Sequence, residues 1–367
     1  MTCKNYKYGE VIGLNNKHGG NIYEAAKRYG LKEEEILDFS SNINPLGISK
    51  KALKGLRDNL KHIIRYPDSN SLRLREAIGR YHSINPENIL VGNGATALIY
   101  HIPKVLRPKR VLIPVPTFSE YESACKASGA KIKYVRLEEA NGFRINETEI
   151  IKCLDNVHLL FLCNPNNPTG QLLQKKGVLK IINKAEKKGI IVVLDEVFID
   201  YAERESLIKE AVKKKNLIAL RAFTKFFAMP GLRLGYLVTN KTLMKKIKET
   251  IGPWPVNCLA QTAGEASLKD KRHIQESIRY IEKERAYLIK GISEIDGLMP
   301  FPSSTNFILI KIESNGLDVP KLCDILAKRG ILTRDCSNFG VGDKFFRIAV
   351  KKRRENIRLL TEIRRIF

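Results

Sequence analysis

Between about Asn88 and Asn240 the chain alternates short apolar runs with longer stretches whose apolar residues recur every three or four positions. The runs are NILVGN, RVLIPV, KIKYVRL, LLFLCN, GIIVVLD, LIALRAF and RLGYLVT. They are strand-length and rich in Val, Ile and Leu, as expected of strands covered on both faces. Alternation with amphipathic helices predicts an α/β unit built on a mostly parallel, seven-stranded sheet. Ligands in such sheets bind outside the carboxyl ends of the strands, so the loops that follow these runs are where chemistry is expected. Beyond Asn240 the pattern changes. His273 to Ile295 reads as one long charged helix, and TNFILIKI, GILTRDC and FFRIAV read as strands around a helix near Asp318 to Arg329.

At 367 residues the chain can bury a substantial core, and 43% hydrophobic with 28% charged residues is ordinary for a globular enzyme. No apolar stretch approaches a membrane span, and the opening MTCKNYKYGE lacks the apolar centre of a secretory signal. The seven cysteines are scattered without a CxxC or other ligand spacing, which argues against a zinc site or a disulfide framework and for reduced thiols in the cytoplasm. The formal charge of +25 is spread along the chain with no basic-aromatic RNA motif or zinc-finger spacing. A solvated basic surface that gathers anionic small molecules is the expected consequence, not nucleic-acid binding.

The candidate chemistry falls at the predicted strand ends. In LRAFTKFFAMPGLRLGY, Lys225 follows an apolar strand and Arg233 lies eight residues further on. A lysine among aromatic neighbours loses hydration and becomes more nucleophilic, while an arginine offers a planar fork for phosphate. Lysine for a carbonyl and arginine for a phosphate together describe a pyridoxal-phosphate site. The turn GNGAT places Gly94, Ala95 and Thr96 at a strand-to-helix junction, a natural phosphate cradle. Asp195 ends the apolar run IIVVLD, where a buried carboxylate needs a partner.

In this order these segments, with CNPNNPTG, VPTF and RYPD, closely resemble the fold-type-I pyridoxal-phosphate-dependent aminotransferases. The resemblance covers essentially the whole chain. It implies that Lys225 carries pyridoxal 5′-phosphate, Asp195 pairs with the pyridine nitrogen, Asn167 bonds the phenolic oxygen and Phe118 stacks on the ring. Gly94, Ala95, Thr96, Thr224 and Arg233 would hold the cofactor phosphate. Tyr66 would reach the phosphate of a neighbouring subunit, which makes the active site that of a homodimer. Two positions depart from the pattern: Phe198 stands where many relatives have tyrosine, and Ala222 where a serine is usual. Glu196 reads as structural. The resemblance also joins the N-terminal segment to the C-terminal part, giving a large cofactor-binding unit, 46–265, and a small α+β unit made of 1–45 and 266–367.

HGGNIYEAAKRYG, LDFSSNINPLG and GPWPVNCLAQ narrow the resemblance to the branch that decarboxylates L-threonine O-3-phosphate for the cobalamin side chain. Histidinol-phosphate aminotransferases are the nearest alternative. Arg347 then matches the arginine for the substrate carboxylate and Arg334 the one for its phosphate, with His18, Asn44 and Asn167 completing the substrate end. A regulator that binds nucleic acid with this fold is disfavoured, because such proteins carry an added winged-helix domain for which the resemblance leaves no room.

Overall fold

The computed structural model describes residues 18–314 and 316–367. The stretch 1–17 of the expected small unit lies outside the described residues. Among the described residues thirteen strands run in chain order as β1 Leu37–Asp38, β2 Ile89–Asn93, β3 Arg110–Val115, β4 Lys131–Arg136, β5 Leu159–Cys163, β6 Ile191–Asp195, β7 Leu217–Ala222, β8 Leu234–Thr239, β9 Leu298–Pro300, β10 Phe307–Ile312, β11 Ile331–Leu332, β12 Arg334–Asp335 and β13 Phe345–Ala349.

Strands β2 to β8 are the seven apolar runs, and they form one sheet in the order β2-β8-β7-β6-β5-β3-β4. All neighbours are parallel except β8, which is antiparallel to both β2 and β7. The period-two geometry of a strand divides each run between two cores. Leu160 and Leu162 of β5 join the helices Leu72–His82, Lys175–Lys187 and Cys258–Leu268 on one face. Leu159, Phe161 and Cys163 join the helices Gly94–Leu106, Glu120–Ala127 and Lys241–Lys248 on the other. Burial on both faces explains why these runs lack polar alternation.

A second, four-stranded antiparallel sheet has the order β12-β13-β10-β9. Ile308, Ile310, Phe346 and Ile348 pack on one side with Ile281, Leu288, Leu359 and Ile363 from the helices Lys271–Ser293 and Arg353–Arg364. Strand alternation therefore turns Leu309, Phe345 and Arg347 the other way, and Leu309 and Phe345 join the core of the large sheet. Arg334 and Arg347 are directly opposed across β12 and β13. GILTRDC is not the single strand its composition predicts. The chain changes partner at Thr333: Ile331 and Leu332 pair in parallel with Leu37 and Asp38, and Arg334 and Asp335 pair with β13. No helix among the described residues is long and apolar enough to cross a membrane, and five of the seven cysteines are free thiols.

One polar cluster holds the centre of the large sheet. Arg221 of β7 is 1% exposed. Its guanidinium donates to Glu196 at 3.1 Å, Asp200 at 3.3 Å, Glu203 at 2.9 and 3.0 Å, and Ser206 at 2.8 Å. Glu196 also accepts from the Ser206 hydroxyl and the Leu207 N–H, which confirms its structural role. A planar fork satisfies several buried carboxylates at once, as a lysine ammonium cannot. Replacing Arg221 with alanine strands buried charge, so Arg221→Ala is expected to cost about 3–5 kcal/mol, read as a lower urea midpoint at unchanged slope. Arg221→Lys should recover part of this. An alanine variant as stable as the parent would show that the cluster is dispensable.

Candidate active site

The carboxyl ends of β5, β6 and β7 open into a cavity of about 400 Å³. The lining includes Ala95, Thr96, Phe118, Asn167, Asp195, Thr224, Lys225, Arg233, Arg334, Arg347 and His18, so most of the residues expected from sequence converge on one place. Phe198 and Ala222, the two departures, line it as well.

Lys225 lies three residues beyond β7, and its carbonyl accepts from Asn44 N–H at 3.1 Å and Ala228 N–H at 3.3 Å. Burial, with the Arg347 charge second, pulls its ammonium from the ordinary 10.5 down to about 8. Asp195, 4% exposed, ends β6. Its Oδ2 accepts from the Tyr121 hydroxyl at 2.6 Å and its Oδ1 from Val197 N–H at 2.9 Å. Burial pushes this carboxyl up against the effect of both hydrogen bonds. Phe118 meets Tyr121 edge-on, with ring centroids 5.7 Å apart.

The glycine turn lies at the junction of β2 and the helix Gly94–Leu106. Gly94 opens the helix Gly94–Leu106 at φ +77°, and a Cβ there would stand 2.6 Å from Nη2 of Arg233. A Cβ on Gly235 would stand 2.4 Å from the Ala95 nitrogen, so β8 reaches the helix N-terminus only because position 235 is bare. Arg233 thus lies beside a thirteen-residue helix's positive end, an arrangement suited to a phosphate.

At the other end of the cavity, Nη1 of Arg347 donates to Oδ1 of Asn167, and Nη2 donates to the Ser40 carbonyl at 2.9 Å. Its Nε is buried without a hydrogen-bond partner, and burial lowers the guanidinium to about 10. Arg334 donates to Oδ1 of Asn338 at 2.8 Å and lies over the Phe339 ring at 5.1 Å. His18, its side chain about half exposed, stands 3.1 Å from Oε1 of Glu120.

Two expected residues lie elsewhere. Asn44 is buried away from the cavity: its amide donates to the Phe226 carbonyl and the Ser277 hydroxyl, both at 2.8 Å, and accepts from Leu46 N–H. All of its polar atoms serve the fold, which corrects its assignment to substrate. Asn42, two residues earlier, lines the cavity with a buried Oδ1 that has no partner. Tyr66 is 80% exposed, stacked on Trp254 at 4.5 Å and outside the cavity of its own chain. Sequence reading also missed Tyr121, Glu120, Ser40 and Ser41. Tyr121 was detectable as a second aromatic residue three positions after Phe118, in the first turn of the helix Glu120–Ala127.

A softened lysine, a buried acid and a helix N-terminus beside an arginine thus meet around one cavity. Residues 34–363 match the family described as aminotransferase class I and II. The chain belongs to that family. Like the rest of the class, it uses pyridoxal 5′-phosphate. Over 96% of its length it is 36% identical to threonine-phosphate decarboxylase of Salmonella typhimurium, 97% of which is covered. Over the same share it is 40% identical to a Caldanaerobacter subterraneus protein that bears the threonine-phosphate decarboxylase name provisionally, 94% of which is covered. Among solved structures, histidinol-phosphate aminotransferase from Clostridium acetobutylicum superposes with a TM-score of 0.85 at 36% identity, covering 90% of this chain and 99% of that one.

The donor set fits the family's cofactor. The bare cradle at Gly94 with Arg233 suits its phosphate, Asp195 suits a protonated ring nitrogen, and Lys225 suits its aldehyde. Because the Lys225 amine is neutral only above its lowered value, attachment of pyridoxal phosphate to cofactor-free protein should rise with pH around a midpoint near 8. Borohydride trapping followed by mass analysis of the Lys225 peptide reads this directly. A midpoint near 10.5 would show that the cavity does not soften the lysine, and Lys225→Ala should abolish attachment.

Proposed function

We propose that this chain is a decarboxylase of L-threonine O-3-phosphate, forming (R)-1-amino-2-propanol O-2-phosphate for the cobalamin side chain. The observation that carries the reading is the opposed pair Arg334 and Arg347, both lining the cavity with His18. Two buried guanidiniums facing one cavity suit a small substrate with two anionic groups. The threonine-phosphate decarboxylases at 36–40% identity support the choice.

Bound in this cavity, pyridoxal phosphate supplies an electron sink for the bond broken at the substrate α-carbon. The chain's own residues do the rest. Asp195 keeps a proton at the ring nitrogen, and the Tyr121 hydroxyl fixes the orientation of its Oδ2. Lys225 Nζ is placed to deliver a proton to the α-carbon in place of the carboxylate, which leaves as carbon dioxide. Arg347 binds the substrate carboxylate and keeps Asn167 aligned through its other nitrogen. Arg334 binds the substrate phosphate from its seat on Phe339 and Asn338. In this reading the large unit, 46–265, carries the cofactor, and the small unit supplies Arg334 and Arg347 to the substrate.

The same reading makes the enzyme a cytoplasmic homodimer. Ile63, Ile64, Tyr66 and Trp254 are exposed, and Ile63 and Trp254 line a surface groove. An apolar patch of this kind suits a second copy, whose cofactor phosphate Tyr66 would reach. The alternative reading is a histidinol-phosphate aminotransferase, favoured by the 36% identity to the Clostridium structure. Carbon dioxide released from threonine phosphate without a keto acid distinguishes the two.

The arginines are expected to fail differently. Loss of either leaves a buried anion without its fork, at about 2–5 kcal/mol, or about 30- to several-thousand-fold in kcat/KM. Arg334→Ala should erode the preference for threonine phosphate over threonine, whereas Arg347→Ala should harm both substrates alike. Full preference retained in Arg334→Ala would place the phosphate elsewhere.

A further inference from the structure

Glu120 is the anomaly of the cavity. It lines a space whose other charged groups are mostly cationic, and that reading puts the substrate phosphate near it. A bare carboxylate there would repel a phosphate dianion. This carboxylate is not bare. His18 Nε2 stands 3.1 Å from Oε1, the Tyr100 hydroxyl donates to Oε2 at 2.7 Å, and the Ser119 hydroxyl lies 3.5 Å from Oε1. The hydrogen bond from His18 is the largest influence holding the Glu120 carboxyl below the usual range, burial opposes it, and Tyr100 adds to it. The Glu120 side chain is nearly buried while that of His18 is half exposed, so the fixed member of the pair is the glutamate.

Among the described residues the anchor of His18 is otherwise slight. Its ring meets Phe118 only at a 6.0 Å centroid distance, and Gly19 and Gly20 follow it. Gly20 N–H donates to the Ser40 hydroxyl, and a Cβ on Gly19 would stand 2.4 Å from the Ser40 carbonyl. The backbone is therefore pressed against the bend at Ser40, two residues beyond β1, while the imidazole is aimed by Glu120.

We infer that Glu120, braced by Tyr100, is a positioning residue for phosphate recognition: it engages Nε2 of His18 and thereby presents Nδ1 to the substrate phosphate. The inference rests on the phosphorylated-substrate reading above. An imidazole bonded to a carboxylate through one ring nitrogen has its other ring nitrogen fixed in direction, free to donate to a phosphate. Glu120 acts through His18 and touches no reacting atom.

A double-mutant cycle on the holoenzyme tests this, because residues that act as one unit lose their effect once, not twice. His18→Ala and Glu120→Ala should each raise KM for threonine phosphate about 5- to 30-fold, the range of one lost hydrogen bond of about 1–2 kcal/mol. The double variant should be no worse than the poorer single one. The loss should fall on KM more than kcat, and the ratio of kcat/KM for threonine phosphate to that for threonine should fall with it. Tyr100→Phe should give a smaller change in the same direction, and Glu120→Asp should recover part of the loss.

Multiplicative losses in the double variant, or a Glu120→Ala loss shared equally by both substrates, would overturn the inference. Calorimetric binding of inorganic phosphate to the holoenzyme separates it from the parent reading. If the parent protein releases no carbon dioxide from threonine phosphate, the decarboxylase reading fails. The positioning role still stands if both single variants weaken phosphate binding by the same factor, and falls if only His18→Ala does.

Discussion

The relation between Lys225 and Asp195 is set by a guanidinium that neither of them touches. Arg221 sits on the strand that leads into Lys225, and its fork grips Glu196, the residue after Asp195. Adjacent parallel strands could slide or splay at their ends, where backbone pairing stops. The ion cluster pins the ends of β6 and β7 together and extends the hold to Asp200, Glu203 and Ser206. Desolvating so many charges is costly, and the cost is offset only because nearly every donor and acceptor has a partner. Beside the cluster, His82 is held neutral by burial, its proton affinity lowered to about 2, and it shares a hydrogen bond with Tyr236.

The cavity therefore has two ends, one on each sheet. On the large sheet Asp195 ends β6, Lys225 follows β7 and the glycine turn beside Arg233 follows β2. On the smaller sheet alternation along β13 buries Phe346 and Ile348 behind and turns Arg347 forward. The contact between Arg347 and Asn167 joins the two ends.

Most of this frame was legible in the sequence because burial on both faces writes an unmistakable pattern. All seven strands of the large sheet fall where apolar runs lie, and Lys225, Asp195 and the Gly94 turn follow from their position at strand ends. The failures share one cause, which is that direction of a side chain is not written in a loop. Asn44 and Asn42 are the same residue type two positions apart in SSNINP, and only the fold decides which faces the cavity and which clamps Phe226 and Ser277. Glu120 was passed over because a carboxylate beside an aromatic residue has no signature until His18, about a hundred residues earlier, arrives next to it. The division of GILTRDC between two sheets was hidden likewise, since partner choice at Thr333 depends on Leu37 and Arg347.

Directly opposed like charges weaken an antiparallel pair, and β12 offers only two residues to hold against β13. Arg334 and Arg347 thus make their own short ladder the least contented part of the small sheet. Under the proposed reading, a ligand with two anions reverses the sign of that contact and becomes the missing cross-strand partner. Recognition and cohesion would then be one event, with the ligand completing the edge of the sheet.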